Sequence, residues 1–158
     1  MKQPDFALTQ GWWYPAILSI ILLLIVFFMP KKRISWKEVY ITFGVIGYIV
    51  WMVDMTIAAP FDLFDIGNPQ KEGLPEITLF GIIPSCLSVI YLNLVGKDRK
   101  WLLVIIFFIL SLTLEWLATR VGLMKHWNIL WSSPVHFIAY AFYLPWHLKF
   151  IRRDEDLN

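Results

Sequence analysis

Five long apolar runs, separated by short polar segments, constrain this sequence more than any other feature. They cover residues 12–29, 39–59, 77–95, 101–119 and 134–151. A helix needs about 20 residues, or slightly fewer, to cross a hydrocarbon layer about 30 Å thick. The sequence therefore predicts an all-α fold, a polytopic membrane helix bundle with five transmembrane helices. We expect residues 1–158 to form a single integral membrane domain.

The composition of the chain supports this assignment and excludes several other classes of protein. Of the 158 residues, 58% are hydrophobic and 16% are charged, which is more apolar surface than a soluble domain of this length buries. A soluble enzyme, a disordered tail and a nucleic-acid-binding domain are therefore excluded. Because Cys86 is the single cysteine, an intramolecular disulfide is excluded as well. The predicted partner is the lipid bilayer, and no nucleic acid is expected to bind.

Prolines and capping residues mark the ends of several predicted helices. Pro30 and Pro60 follow the first two runs, where a missing N–H donor favours the end of a helix. Ser133 is predicted to cap the fifth helix, because Pro134 would then occupy the first helical position, where its missing N–H is not needed.

The basic residues predict an orientation, because short loops rich in lysine and arginine stay on the cytoplasmic side of a membrane. Of the 14 basic residues, four are predicted on the outer side, at Lys2, Lys71, Arg120 and Lys125. The others fall on the inner side, at Lys31, Lys32, Arg33, Lys37, Lys97, Arg99, Lys100, Lys149, Arg152 and Arg153. We therefore predict a plasma-membrane protein with its N-terminus outside and its C-terminus in the cytoplasm.

Aromatic residues at the ends of the runs agree with this orientation, since tryptophan and tyrosine settle at the level of the lipid headgroups. The outer interface is predicted at Trp12, Trp13, Tyr14, Trp116, Trp127 and Trp131. The inner interface is predicted at Trp36, Tyr40, Tyr91, Trp101 and Trp146. In this interpretation most of the tryptophans are membrane anchors and need no ligand.

Two carboxylates lie inside the runs, where a charged side chain costs about 2.5–3.5 kcal/mol at the centre of a helix. They are Asp54 and Glu115, and their positions in the second and fourth runs predict similar depths in the outer leaflet. His136 enters the fifth helix near the same interface, and Arg120 can reach down toward Glu115 because long basic side chains snorkel. We predict an intramembrane polar cluster of Asp54, Glu115, His136 and Arg120.

The fifth run also carries a polar stripe, in which four residues recur at helical spacing on one face: His136, Tyr140, Tyr143 and His147. Pro145 interrupts the same helix and leaves the carbonyl of Ala141 without its helical donor. The stripe has two interpretations. It is either a proton relay that serves Asp54 and Glu115, or an interhelical hydrogen-bond network that holds a small bundle together.

No catalytic residue, metal ion or other cofactor is predicted. His136 and His147 are too far apart along one helix to share an ion, and no histidine pair has the spacing of a zinc motif. Asp54, Glu115 and His136 are the only set that could meet around a metal ion. The serines and the cysteine of the runs lack the strand-to-helix turn that exposes a nucleophile.

One stretch resembles a known group of proteins. It contains Glu115-Trp116, Gly122-Leu123-Met124, Lys125, Trp127, Trp131-Ser132 and Pro134. Together with the apolar runs before it, this stretch resembles a family of small polytopic membrane proteins of spore-forming Gram-positive bacteria, known as conserved hypothetical proteins. The resemblance implies a multi-pass plasma-membrane protein with a link to sporulation or to the cell envelope, and it implies no catalytic residue.

These observations lead to three hypotheses about function. The first is a non-enzymatic interaction or assembly component of the bacterial plasma membrane, acting as a homo-oligomer or with other membrane proteins. The second is a small proton-coupled transporter or permeation subunit that uses Asp54, Glu115 and the polar stripe. The third is an enzyme that acts on lipid head groups, with Glu115 or His136 as the base.

Overall fold

A computed structural model of the protein describes residues 10–58, 60–61, 63, 65–66 and 74–153. These residues form five helices and one two-stranded ribbon. The strands β1 (Asp65–Ile66) and β2 (Met124–Lys125) pair antiparallel. The helices are α1 (Trp13–Phe28), α2 (Trp36–Val53 continued by Asp54–Ala58), α3 (Leu74–Glu76, Ile77–Ile82 and Ile83–Leu94), α4 (Lys100–Arg120) and α5 (Ile129–Ile138, Ala139–Tyr143 and Leu144–Arg153).

The all-helical class predicted from the sequence is confirmed for the described residues, and three of the helices are long and apolar enough to cross a membrane. They are Trp36–Ala58 of α2, Ile77–Leu94 of α3, and α4. The helix α1 is apolar but shorter, with 16 residues. The helix α5 does not belong to this group, because histidines and prolines dilute its apolar residues. Five spans and the orientation stay predictions.

The helices begin and end within three residues of the predicted positions, except at the start of α5. This helix begins at Ile129, where the side chain of Asn128 accepts a hydrogen bond of 2.9 Å from the backbone N–H of Leu130. The prediction that Ser133 caps the helix is therefore wrong, and Pro134 lies inside the helix. An asparagine side chain can occupy the capping position one turn upstream, and the helix then passes through the proline.

The start of α2 also lies upstream of the predicted apolar run, and a capping box explains it. The hydroxyl of Ser35 accepts from the backbone N–H of Glu38 at 3.3 Å, and the carboxylate of Glu38 accepts from the backbone N–H of Ser35 at 2.6 Å. Each residue thus satisfies a donor that the first turn of a helix leaves unpaired. The helix therefore starts at Trp36.

The helix α3 is the centre of the bundle. In Ile77–Leu94 of α3, 61% of the residues are buried, compared with 22% in the most apolar 18-residue stretches of α2 and of α4. Tyr91 of α3 is completely buried, so its predicted place at the inner membrane interface is wrong. The core around α3 receives side chains from the other four helices, among them Leu22, Val39, Ile46, Val104, Phe107, Ala141 and Leu144.

Small residues let α2 and α3 approach closely. The hydroxyl of Ser85 donates to the backbone carbonyl of Phe43 at 3.0 Å. A Cβ placed on Gly47 would lie 3.4 Å from that hydroxyl oxygen and 3.6 Å from the carbonyl oxygen of Gly81. A larger residue than alanine at position 47 would therefore push the two helices apart, as is common for small residues at membrane helix interfaces.

The loops collect at two ends of the bundle. One end, called the ribbon end below, contains Gln10, Gly11, the β1–β2 ribbon and the chain from 121 to 128. Gly11 has a φ of 78°, and a Cβ there would lie 2.9 Å from the carbonyl oxygen of Val121, so only glycine fits. The opposite end, called the basic end, contains the chain from 29 to 35, the chain from 95 to 99 and the last turns of α5.

Candidate functional site

The polar stripe of α5 lies between helices, and its two halves face different neighbours. His136 and Tyr140 contact α4, whereas His147 contacts α2. The π-helical turn Ala139–Tyr143 separates the two halves, and the backbone N–H of Leu144 donates to the carbonyl of Ala139 across five residues.

Proline explains this wider turn. Pro145 has no N–H to donate to the preceding turn, so the regular α-helical bonding pattern cannot continue through it. The same arrangement occurs in α3, where the π-helical turn Ile77–Ile82 precedes Pro84 and the backbone N–H of Ile83 donates to Thr78. The sequence indicated where bonds would be lost, and the structure shows that the chain widens there.

At the ribbon end, two side-chain pairs join α5 to α4, and we call them the ribbon-end ladder. The Nε2 atom of His136 lies 2.9 Å from Oε1 of Glu115, and the hydroxyl oxygens of Tyr140 and Ser111 are 2.8 Å apart. In each helix the two residues are four positions apart, so they lie on one face. Because the helices run antiparallel, the two pairs stack as neighbouring rungs.

Trp127 completes this ladder, and the sequence analysis did not assign it this role. Its indole N–H is shared between Oε2 of Glu115, at 3.0 Å, and the hydroxyl oxygen of Ser132, at 2.9 Å. The position of Trp127 near a helix end predicted a membrane anchor, because every tryptophan near a helix end fits that explanation. Its proximity to Glu115 depends on how the loop from 121 to 128 folds back, which spacing along the chain does not reveal.

Burial increases along the ribbon-end ladder. The side chains of His136 and Glu115 are 24% and 23% exposed, whereas Ser111 and Tyr140 are buried. Behind Tyr140, the hydroxyl of Tyr91 donates to the backbone carbonyl of Tyr140 at 2.7 Å. The rings of Tyr91, Phe107 and Tyr140 pack against one another with centroids 5.1–5.6 Å apart. The charged rung is therefore partly accessible, and the hydroxyl rung is sealed by aromatic packing.

At the basic end, two other pairs join α5 to α2, and we call them the basic-end ladder. The Nε atom of Arg152 donates to Oε1 of Glu38 at 2.6 Å, and a hydrogen bond of 3.2 Å connects Nε2 of His147 with the hydroxyl of Thr42. The ring of Tyr143 stacks on His147, with centroids 5.9 Å apart. Glu38, Thr42 and His147 are all buried.

The predicted cluster of four residues is brought together in part. Glu115 and His136 form a pair, as expected from their depths. The guanidinium of Arg120 lies 5.0 Å above the ring of Trp116, on the exposed side of α4. Asp54 lies in the π-helical turn at the ribbon end of α2, and its side chain is half-buried. The hydrogen bonds described for the Glu115 carboxylate come from His136 and Trp127.

Proton placement in the charged rung follows from the donor and acceptor inventory. An ionised carboxylate only accepts hydrogen bonds, and an indole only donates one. The Nε2 atom of His136 therefore donates to Oε1 of Glu115 when that carboxylate is ionised. The arrangement clamps α5 to α4.

Metal chemistry has no assembled site in the part of the chain that the structure describes. Within these residues, no group of three or more histidine, cysteine, aspartate and glutamate side chains could hold a metal ion. Comparisons with protein families, curated proteins and solved structures found no match to this chain. Its function must therefore be inferred from the residues and contacts described above.

Proposed function

We propose that this chain is a multi-pass integral membrane protein that acts as a non-enzymatic interaction or assembly component of the bacterial plasma membrane. One observation carries the proposal: the polar groups along α5 pair with α4 at one end and with α2 at the other. These groups form hydrogen bonds that hold neighbouring helices together. The resemblance noted in the sequence adds a link to sporulation or to the cell envelope.

The distribution of the loops supports the membrane topology in this proposal. The chain segments that were predicted to lie outside meet at the ribbon end, where β1 pairs with β2 and Gly11 packs against Val121. The loops with most of the lysines and arginines meet at the opposite end. This separation is what the positive-inside rule requires of a five-span chain with its C-terminus in the cytoplasm.

The pairing within each ladder supports a structural role for the polar groups. A buried hydrogen-bonding group without a partner is costly in a bilayer, and a bond to a neighbouring helix removes that cost. Tyr140, Ser111, Thr42 and His147 each have such a bond. A relay would need bonds from one stripe residue to the next along α5, whereas the bonds described here run sideways to other helices.

The outward faces of α2 and α4 supply the surface for interaction. Most residues of both helices are not buried by the rest of the described chain, and large apolar side chains such as Ile105 and Ile109 of α4 are more than half exposed. In a bilayer these faces contact either lipid or another transmembrane helix. We propose that other membrane proteins, including further copies of this chain, bind there.

Cysteine crosslinking in native membranes tests this proposal. The natural thiol, Cys86, is fully buried and serves as an inert background. We expect Ile109→Cys, on the exposed face of α4, to give discrete crosslinked species. The matched variant Val104→Cys, whose position is buried, should give none. If cysteines at exposed positions of both α2 and α4 give no discrete species, the assembly role is wrong.

A proton-coupled transporter is the second candidate, and the partial exposure of the Glu115–His136 rung favours it. If the protein moves protons, Glu115→Gln should abolish a pH-driven flux in proteoliposomes and leave the folded yield intact. The assembly role predicts instead that the native chain shows no such flux and that Glu115→Gln changes only stability. Ser111→Ala is the control, since it alters the same ladder without removing a charge.

A further inference from the structure

The basic end is built as one surface, and a buried asparagine fastens its first part. The side-chain oxygen of Asn93 accepts from the backbone N–H groups of Lys32, at 2.9 Å, and Arg33, at 3.2 Å. Its amide nitrogen donates to the carbonyl of Pro30 at 2.9 Å. Asn93 is buried at the end of α3, whereas the side chains of Lys32 and Arg33 are exposed. The backbone of the α1–α2 loop is therefore fixed while its charges face outward.

The other two segments of the basic end pack onto this loop. A Cβ placed on Gly96 would lie 2.7 Å from an Nη atom of Arg33, so the guanidinium covers the α3–α4 loop directly. The side chain of Arg152 donates to the backbone carbonyl of Arg33 and to Glu38. The α1–α2 loop, the α3–α4 loop and the last turn of α5 therefore present their charges on a shared surface.

Positive charge dominates this surface in its described part. Its acidic residues there are Glu38, which is paired with Arg152, and Asp98. The basic side chains are more numerous: Lys31, Lys32, Arg33, Lys37, Arg99, Lys100, Lys149 and Arg152. Clusters of four to eight lysines and arginines next to a membrane helix attract anionic lipids.

Exposed aromatic rings flank the charges and favour a lipid over a free anion. The ammonium of Lys31 lies 4.1 Å above the ring of Trp36, and that of Lys100 lies 5.3 Å from the ring of Trp101. Both rings are more than half exposed. Since tryptophan settles at the headgroup level, these contacts hold the cations at the depth where lipid phosphates lie.

We propose that the basic end binds the phosphate groups of anionic phospholipids, with Lys32, Arg33 and Arg99 as contacting residues. The proposal depends on membrane embedding and not on the assembly role. Partners could be absent from α2 and α4 while lipid binds here, and the crosslinking experiment and the lipid experiment therefore fail independently.

Lipid titration of the purified full-length chain, followed by native mass spectrometry, tests the proposal. We expect phosphatidylglycerol to bind more tightly than phosphatidylcholine. One basic residue near a membrane surface contributes about a fivefold change in affinity, so Lys32→Gln with Arg33→Gln should weaken phosphatidylglycerol binding about 25-fold. The matched pair Arg120→Gln with Lys125→Gln, at the ribbon end, should leave it unchanged. Equal binding of the two lipids would overturn the proposal.

Three further measurements keep the result unambiguous. Inorganic phosphate should not compete at concentrations that match the lipid, and full competition would indicate a free-anion site instead. Arg99→Gln, in an exposed turn, provides a second variant if the double variant does not fold. Asp154, Glu155 and Asp156 follow the last turn of α5 in the sequence. If phosphatidylglycerol binds only after these three are neutralised to Asn, Gln and Asn, the acidic segment is the occupant and the proposal is wrong.

Discussion

Both halves of α5 contact a neighbouring helix through polar side chains, but the carboxylates at the two ends differ in their exposure. Each half pairs with a neighbouring helix through one carboxylate rung and one hydroxyl rung. At the basic end the carboxylate of Glu38 is almost sealed, with 6% of its side chain exposed, whereas at the ribbon end Glu115 keeps 23%. The carboxylate is therefore buried in the basic-end ladder and partly accessible in the ribbon-end ladder.

The two carboxylates also differ in where each lies on its own helix. Glu38 is in the first turn of α2, where the positive end of the helix dipole and the backbone N–H of Ser35 stabilise a negative charge. Glu115 lies one turn before the last turn of α4, so the positive end of a helix dipole and a capping N–H do not support its charge. Glu115 consequently depends on His136 and Trp127, which come from other segments. The Glu38 carboxylate is therefore supported both by its own helix and by Arg152 of α5, whereas the contacts described for Glu115 come from tertiary structure.

The largest expected effect is at Glu38. Glu38→Ala removes the carboxylate half of the capping box and the partner of Arg152, and we expect a loss of about 3 kcal/mol in the free energy of unfolding, measured by SDS titration in bicelles. Glu38→Gln keeps a side-chain acceptor for Ser35 but no charge, so its loss should be about half as large. Equal losses for the two variants would mean that the capping box contributes nothing.

A smaller loss is expected at Glu115. Glu115→Gln keeps a side-chain acceptor but removes the charge that strengthens the hydrogen bonds from His136 and Trp127, so we expect a loss of about 1 kcal/mol. Glu115→Ala leaves the donor of His136 without its partner and should cost about 2 kcal/mol in the same titration. If either variant costs more than its counterpart at Glu38, the comparison between the two ends is reversed.

The hydroxyl rungs should contribute less than the carboxylates. A double-mutant cycle of Ser111→Ala and Tyr140→Phe should give a coupling energy of about 0.6 kcal/mol, the average for hydrogen bonds between membrane helices, and no more than about 1.7 kcal/mol. Thr113→Val is the control, because its exposed hydroxyl donates to the backbone of its own helix. A coupling as large for Thr113→Val with Tyr140→Phe would contradict the assignment of the rung.

The smallest expected effect is the coupling energy between the two ladders. Combining Ser111→Ala with Thr42→Val should change the free energy of unfolding additively, within about 0.5 kcal/mol, because the two sites share no partner. This measurement distinguishes two ladders that stabilise the bundle independently from one continuous hydrogen-bonded relay. A coupling energy above about 1 kcal/mol would show that the halves act as one network.

The helices themselves were largely predictable from the sequence, because apolar runs and prolines act locally. The predicted run 12–29 corresponds to Trp13–Phe28, and the run 101–119 corresponds to Lys100–Arg120. The start of α5 was not predicted, since Asn128 and Ser133 are both good capping residues and the sequence does not choose between them. Pro145 indicated where a backbone hydrogen bond would be lost, and the wider turn before it was not predicted.

The site was predictable only where depth along a helix decides the contact. Glu115 and His136 were expected at one level, and they pair. The contacts of Trp127 with Glu115 and of Arg152 with Glu38 join residues from segments that meet only after the bundle forms. The basic residues were used to predict the orientation, by a rule that counts charges over a whole loop and does not identify the partner of an individual residue. Such pairings depend on tertiary packing.

The π-helical turn of α5 also has a consequence for changes in chain length. A turn closed across five residues holds one residue more than a turn closed across four. Deleting one residue from Ala139–Tyr143 could therefore be absorbed by a return to regular α-helix, with His136 still facing α4 and His147 still facing α2. The same reasoning applies to Ile77–Ile82 of α3. Deletions of single residues should be tolerated at these turns and not in the α-helical segments beside them.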